Sequence, residues 1–216
     1  MTDLSLGGRS ALVVGAGGPY ARLVAVALAE AGARVSIATA AELAAQETEA
    51  NSILNECWTL GRDGIVLRLD AAVPAAVEAA LERVDREAGP LDLLVHAAPP
   101  GEDAAGALAA ATSAFVCIVA GRRRMAGRPG ASTVYLATTP LEESGASDEH
   151  AAALAFVRAL AEQPVDGAVG ADDAVRVCAL VIEPGATPAA VRAALLDAVS
   201  SDSDSHAGPV TTVGAP

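Results

Sequence analysis

The stretch ALVVGAGGPYARLVAVALAEAGARVSIAT, residues 11–39, decides how the rest of the chain reads. Residues 11–14 are a short apolar run, Gly15-Ala16-Gly17-Gly18-Pro19 breaks it, and residues 21–31 carry apolar side chains at helical spacing. Residues 33–39 (ARVSIAT) follow as a second strand, so the segment predicts strand, glycine turn, helix, strand. Such a turn aims backbone N–H groups and the positive end of a helix dipole at one spot, which suits a pyrophosphate. The motif is short of a full G-x-G-x-x-G, and glycine serves many tight strand-to-helix turns for steric reasons alone.

The alternation continues outward. Helix is predicted over 41–60, strand over 65–69, helix over 74–87 with Pro74 in its first turn, and strand over 91–95 between Gly89-Pro90 and Pro99-Pro100. The second half predicts helix 104–125, strand 133–137, helix 149–163, strand 175–182, helix 188–200 and strand 210–213. Strands alternating with helices imply an α/β fold with a Rossmann-like, doubly wound parallel sheet in three layers. A chain of 216 residues suits one such domain over 1–216, with no room for a separate substrate domain. The run SSDSDS at 200–205 reads as a solvated connector.

Composition narrows the function classes. Hydrophobic residues make up 52% and aromatics only 2%, so the core is built from Ala, Val and Leu, and disorder is excluded. The chain contains no lysine; all 14 basic side chains are Arg. A net charge of −13 opposes binding of nucleic acid. Cys57, Cys117 and Cys178 lie far apart with no C-x-x-C, giving no support to a metal or disulfide framework and fitting a reducing cytoplasm. The first ten residues show no signal-peptide pattern. Residues 104–121 are uncharged and end at Arg122-Arg123-Arg124, but are mostly Ala, Gly, Ser and Thr, which favours an interface helix over a membrane span. Arg122, Arg123, Arg124 and Arg128 complement a helix C-terminus, with an anion or partner site as the alternative.

From these motifs in this order the chain resembles the short-chain dehydrogenase/reductase family nearly end to end. The glycine turn, VGAGGPYA at 14–21, is similar to the family's T-G-x-x-x-G-x-G but keeps only the first of three glycines. LRLDAAVPAAV places the family's adenine-contacting Asp at Asp70, and LDLLVHAAP sets His96, Ala97, Ala98 and Pro99 where the family has N-N-A-G. GASTVYLATT, VRVCALVIEPG and GPVTTVGAP are similar to the last three strands. The resemblance implies NAD or NADP bound by Gly15, Gly17, Gly18, Tyr20, Thr39, Asp70, His96, Ala97 and Ala98. Pro19 and Ala21 stiffen and crowd the turn, so weak binding or none is expected. Thr39, Ala40 and Ala41 offer neither an acid for a ribose hydroxyl nor an Arg for a 2′-phosphate.

The same resemblance implies hydride transfer between NAD(P) and a carbonyl or alcohol, run by Ser, Tyr, Lys and Asn. Here the Asn position is Ala110, the Ser position Thr138 or Thr139, and the Tyr and Lys positions are Ala146 and His150 in one register or Ala151 and Ala155 in another. Only Tyr20 and Tyr135 are tyrosines. Thr138 and His150 stand as the remnants that could still act, His150 as an acid/base near neutral pH. Thr138-Thr139 also reads as a strand-end hydrogen-bonding pair, His150 as a capping residue, and His96 as structural. Pro184-Gly185 runs almost directly into the helix at 188, without the family's substrate lid.

Three readings follow. The leading one is a pseudoenzyme, a binding or assembly subunit that keeps the scaffold; the second is an NAD(P)-dependent oxidoreductase with unconventional groups or groups borrowed from a partner; the third is an oligomer-forming companion that binds no nucleotide. A homodimer or homotetramer is expected through helices 104–121 and 149–163, which are apolar on nearly every side.

Overall fold

Parallel strands need crossover connections, and a helix that crosses over must bury its apolar stripe on the sheet. A computed structural model describes residues 5–98, 104–138, 175–200 and 210–214, together with positions 155 and 159. In chain order it runs β1 (Ser10–Ala16), α1 (Ala21–Glu30), β2 (Arg34–Thr39), α2 (Ala44–Thr59), β3 (Val66–Leu67), α3 (Pro74–Glu87), β4 (Leu91–His96), α4 (Ala104–Met125), β5 (Ser132–Thr138), β6 (Arg176–Ile182), α5 (Pro188–Val199) and β7 (Val210–Val213). The seven strands form one sheet in the order β3-β2-β1-β4-β5-β6-β7, with every pairing parallel. This is the Rossmann-like doubly wound architecture read from the alternation, in a single domain.

Period-2 alternation sends the two faces of each strand to different layers. On β1, Ala11 and Val13 pack with α1, α2 and α5, whereas Leu12 and Val14 pack with α3 and α4. All of β1 is buried on both faces, as expected of a central parallel strand. The chain order changes direction between β1 and β4, and ligands of open α/β sheets lie in the crevice outside the carboxyl ends of strands at such a point.

Two predicted elements differ. The helix expected from residue 41 begins at Ala44, because the Ala40 and Ala41 N–H groups donate to the Gln46 side chain instead of entering a helix. The strand expected over 65–69 pairs only at Val66 and Leu67; the buried Thr39 hydroxyl both donates to the Leu69 carbonyl and accepts from its N–H, holding the rest in place. The predicted helix 149–163, and with it His150, lies outside the described residues apart from positions 155 and 159, as does the serine-rich run 201–205.

The opposite end of the sheet is fixed by charge. The Arg9 guanidinium donates to the Val199 and Gly130 carbonyls, and Asp92 accepts from the Ser10 N–H while pairing with Arg128 at 3.6 Å. Arg124 pairs with Asp85 at 2.6 Å, so two members of the basic cluster bind acids of their own chain. Among the described residues no helix is long and apolar enough to cross a membrane, and no group of His, Cys, Asp and Glu could hold a metal ion.

Candidate functional site

The glycine turn is built to let two backbones touch. Gly15 has φ +121°, and a Cβ placed on it would stand 2.3 Å from the Ala98 nitrogen and 2.5 Å from the Ala97 carbonyl carbon. The Ala97 N–H in turn donates to the Val14 carbonyl at 2.7 Å. The turn and the end of β4 are thus clamped, and no side chain can sit between them. Gly17 has φ +90° and leaves room for the Gln46 side chain, whose Cγ lies 3.2 Å from where a Cβ would be.

Beyond the turn, the Gly18 N–H donates to the Gly15 carbonyl, and α1 starts at Ala21 behind Tyr20. Tyr20 makes no side-chain cap bond, and the first turn of α1 carries no acidic residue. The N–H groups of Arg22 and Leu23 have no intrahelical acceptor, so this helix start presents donors and a positive dipole end. Donors, dipole and missing carboxylate are what a diphosphate needs; the residues fit the phosphate part of a dinucleotide. Arg22 is turned away, bridging Glu49 and Glu56 on α2.

A second loop closes the side of this crevice. The Ala71 N–H donates to the Ala40 carbonyl, and the Asp70 carboxylate accepts from the Ala72 N–H at 2.9 Å, which places Asp70 beside the end of β2. The structure therefore brings Gly15, Gly17, Gly18, Tyr20, Asp70, Ala97 and Ala98 to the carboxyl ends of β1, β2 and β4. Thr39 is there too, but its hydroxyl is buried and engaged on both sides with Leu69.

His96 points away from the turn into the opposite layer. It is 1% exposed, its Nε2 lies 2.7 Å from the buried Ser113 hydroxyl of α4, and its ring tilts against Tyr135 at 5.8 Å. Nδ1 has no partner among the described residues. Burial pushes its pKa down to about 4, so the imidazole is neutral at physiological pH. Burial also raises the Tyr135 hydroxyl, the opposite of what a tyrosine acid/base requires. It raises Cys57 to about 11 and Cys117 to about 12, which makes both thiols poor nucleophiles.

Thr138 ends β5 at the same carboxyl edge and is half-buried. Thr139, Ala146 and His150 lie outside the described residues. After β6, residues 183–187 connect directly to α5, whose Thr187 hydroxyl accepts from the Ala190 N–H. Gln46 was not singled out by sequence reasoning. A glutamine three residues into a helix that follows an Ala-Ala pair was the available signal, since such a side chain can reach back to free N–H groups.

The family model for short chain dehydrogenase matches residues 9–116. D-erythrulose reductase of Gallus gallus is 47% identical over 95 residues, a match taking in 44% of this chain and only 33% of that protein. A short-chain type dehydrogenase/reductase from Mycobacterium marinum superposes with a TM-score of 0.80 at 21% identity, covering 98% of this chain and 96% of the other. A gluconate 5-dehydrogenase from Burkholderia cenocepacia, solved with NADP and tartrate, gives 0.78 at 19% identity, covering 99% and 96%.

Proposed function

Because the chain belongs to the short chain dehydrogenase family, we propose that it is a dinucleotide-binding member that keeps the family scaffold without its Tyr–Lys hydride chemistry, and that it serves as a binding or assembly subunit. The observation that carries this reading is the crevice between β1 and β4, where the clamped glycine turn meets an uncapped, acid-free start of α1. When bound, NAD or NADP supplies a hydride donor or acceptor. This chain's own residues would hold it: the α1 N–H groups at the diphosphate, Asp70 toward the adenine and the Ala97-Ala98 backbone beside the glycine turn. Pro19 contributes no N–H and Ala21 adds bulk, so binding is weak.

The missing chemistry is a statement about side chains. With no lysine in the chain, nothing of that kind can lower a tyrosine pKa, and Tyr135 is shifted the other way. Tyr20 stands at the N-terminal boundary of α1 without a side-chain cap bond, at the phosphate end of the crevice.

A second reading is supported by the stretch shared with D-erythrulose reductase and by Thr138 at the carboxyl edge. In it the chain is an NAD(P)-dependent oxidoreductase of small hydroxycarbonyls that uses Thr138 with His150. One assay separates the two: NADH and NADPH turnover over a ketone and aldehyde panel, in samples where binding is measured in parallel. Binding without turnover is expected. Turnover abolished by Thr138→Ala or His150→Ala would install the oxidoreductase reading.

The subunit role includes self-association. Leu108 is 69% and Phe115 46% exposed on one side of α4, seven residues apart and therefore two turns along the same face. Apolar side chains that stand out from a helix are covered in a homodimer or homotetramer, with helix 149–163 as the expected second element. The three cysteines are free, in keeping with a cytoplasmic setting.

A further inference from the structure

Backbone N–H groups at the end of a strand must find an acceptor. At the end of β2 two consecutive ones find the same atom: Ala40 and Ala41 each donate to Gln46 Oε1 at 2.9 Å. The same side chain lies 3.2 Å from the position of a Cβ on Gly17. Gln46 therefore spans from the glycine turn to the end of β2. This is the place, some twenty residues beyond the turn, where dinucleotide-binding folds tell a ribose 2′-hydroxyl from a 2′-phosphate.

We infer that Gln46 is the residue by which this chain selects against 2′-phosphorylated dinucleotides; the inference rests on the crevice being a dinucleotide site. A phosphate needs charge-assisted donors. The two nearest backbone donors are already held by Gln46, the Thr39 hydroxyl is held by Leu69, and the side chains of residues 40 and 41 are methyl groups. Arg68, the cation tied to this loop, donates to the Glu42 carbonyl and pairs with Glu47 at 3.3 Å. A 2′-phosphate would meet two strand-end N–H groups already held by Gln46 and a Thr39 hydroxyl held by Leu69, next to the carboxylate of Glu47. A 2′-hydroxyl carries no charge to be compensated, and the Gln46 carboxamide keeps its Nε2 donor for it.

The test is calorimetric titration of the full chain with NAD and with NADP, for wild type, Gln46→Ala and Gln46→Glu. Wild type is expected to bind NAD more tightly. Gln46→Ala frees both N–H groups and should improve the affinity for NADP relative to NAD by about tenfold, the scale of one hydrogen bond to a charged group. Gln46→Glu keeps both acceptor contacts, adds a negative charge and should widen the preference for NAD. A glutamine that merely held the loop would change both affinities together. A ratio unchanged by Gln46→Ala, or a wild type that prefers NADP, overturns the role of Gln46 and leaves the dinucleotide site standing. Absence of binding to all three proteins overturns the site and the role of Gln46 together. If Gln46→Ala melts at the titration temperature, Gln46→Glu decides: a preference for NAD that does not widen counts against the inference.

Discussion

Gly15→Ala tests whether the turn and the end of β4 are clamped as described. A Cβ at residue 15 would stand 2.3 Å from the Ala98 nitrogen, about 1 Å inside normal contact, and the atoms it meets are backbone. The substitution also forces a non-glycine residue to φ +121°, which costs about 1–2 kcal/mol. Relieving the contact moves the Ala97–Ala98 peptide away and weakens the 2.7 Å bond from the Ala97 N–H to Val14, for about 1 kcal/mol more. The sum is about 2–3 kcal/mol, or roughly 4–12 °C in melting temperature for a domain of this size. Gly61→Ala is the control. Its φ is +73° and nothing lies within 4 Å of the added methyl, so only the conformational cost of about 1 kcal/mol applies. Thermal melts of the two variants beside wild type give the comparison. A Gly15→Ala protein that melts no lower than Gly61→Ala would refute the clamp.

The buried His96 makes stability depend on pH. Its folded pKa of about 4 lies below the ordinary 6.5, so the unfolded chain takes up the proton first; stability is full above pH 6.5 and falls by up to about 3 kcal/mol on the way down to pH 4. Urea titrations of wild type and His96→Gln at pH 7 and pH 4.5 should show a smaller loss in the variant, and equal losses would count against the buried neutral imidazole. Self-association predicts a multiple of 21.3 kDa by light scattering behind a sizing column, and a lower mass for the Leu108→Glu/Phe115→Glu double variant; a monomeric wild type at micromolar concentration would sink it. Arg9→Ala removes donors from two carbonyls that join the amino ends of the strands to α5 and the loop before β5. A loss of about 2 kcal/mol is expected in urea unfolding with no change in dinucleotide affinity, and an altered affinity would show the two ends of the sheet to be coupled.

Most of the architecture was legible because βα alternation writes strong boundaries: Gly15 to Pro19 ends β1, Pro74 opens α3 and Pro188 opens α5. What escaped lies where side chains replace backbone pairing. Gln46 delays α2 by three residues, and Thr39 does with its hydroxyl what a longer β3 would do with its backbone. The direction of His96 was illegible for another reason. Its strand, LDLLVH, is buried on both faces, so no polar alternation marks which side faces the glycine turn and which faces α4. Of the candidate residues, the close approach of the Gly15 turn to Ala97 and Ala98 is carried by backbone and follows from position alone. The roles that depend on where a side chain points, those of His96 and Thr39, do not.

The crevice is tested most directly by following backbone amide resonances of the labelled full chain during titration with NADH. Saturable shifts are expected for Gly15, Gly17, Gly18, Tyr20, Arg22, Leu23, Ala71 and Ala98, with the outward positions of α4, Leu108 and Phe115, unmoved. No shifts at millimolar NADH, or shifts confined to residues away from the carboxyl ends of β1, β2 and β4, would contradict it.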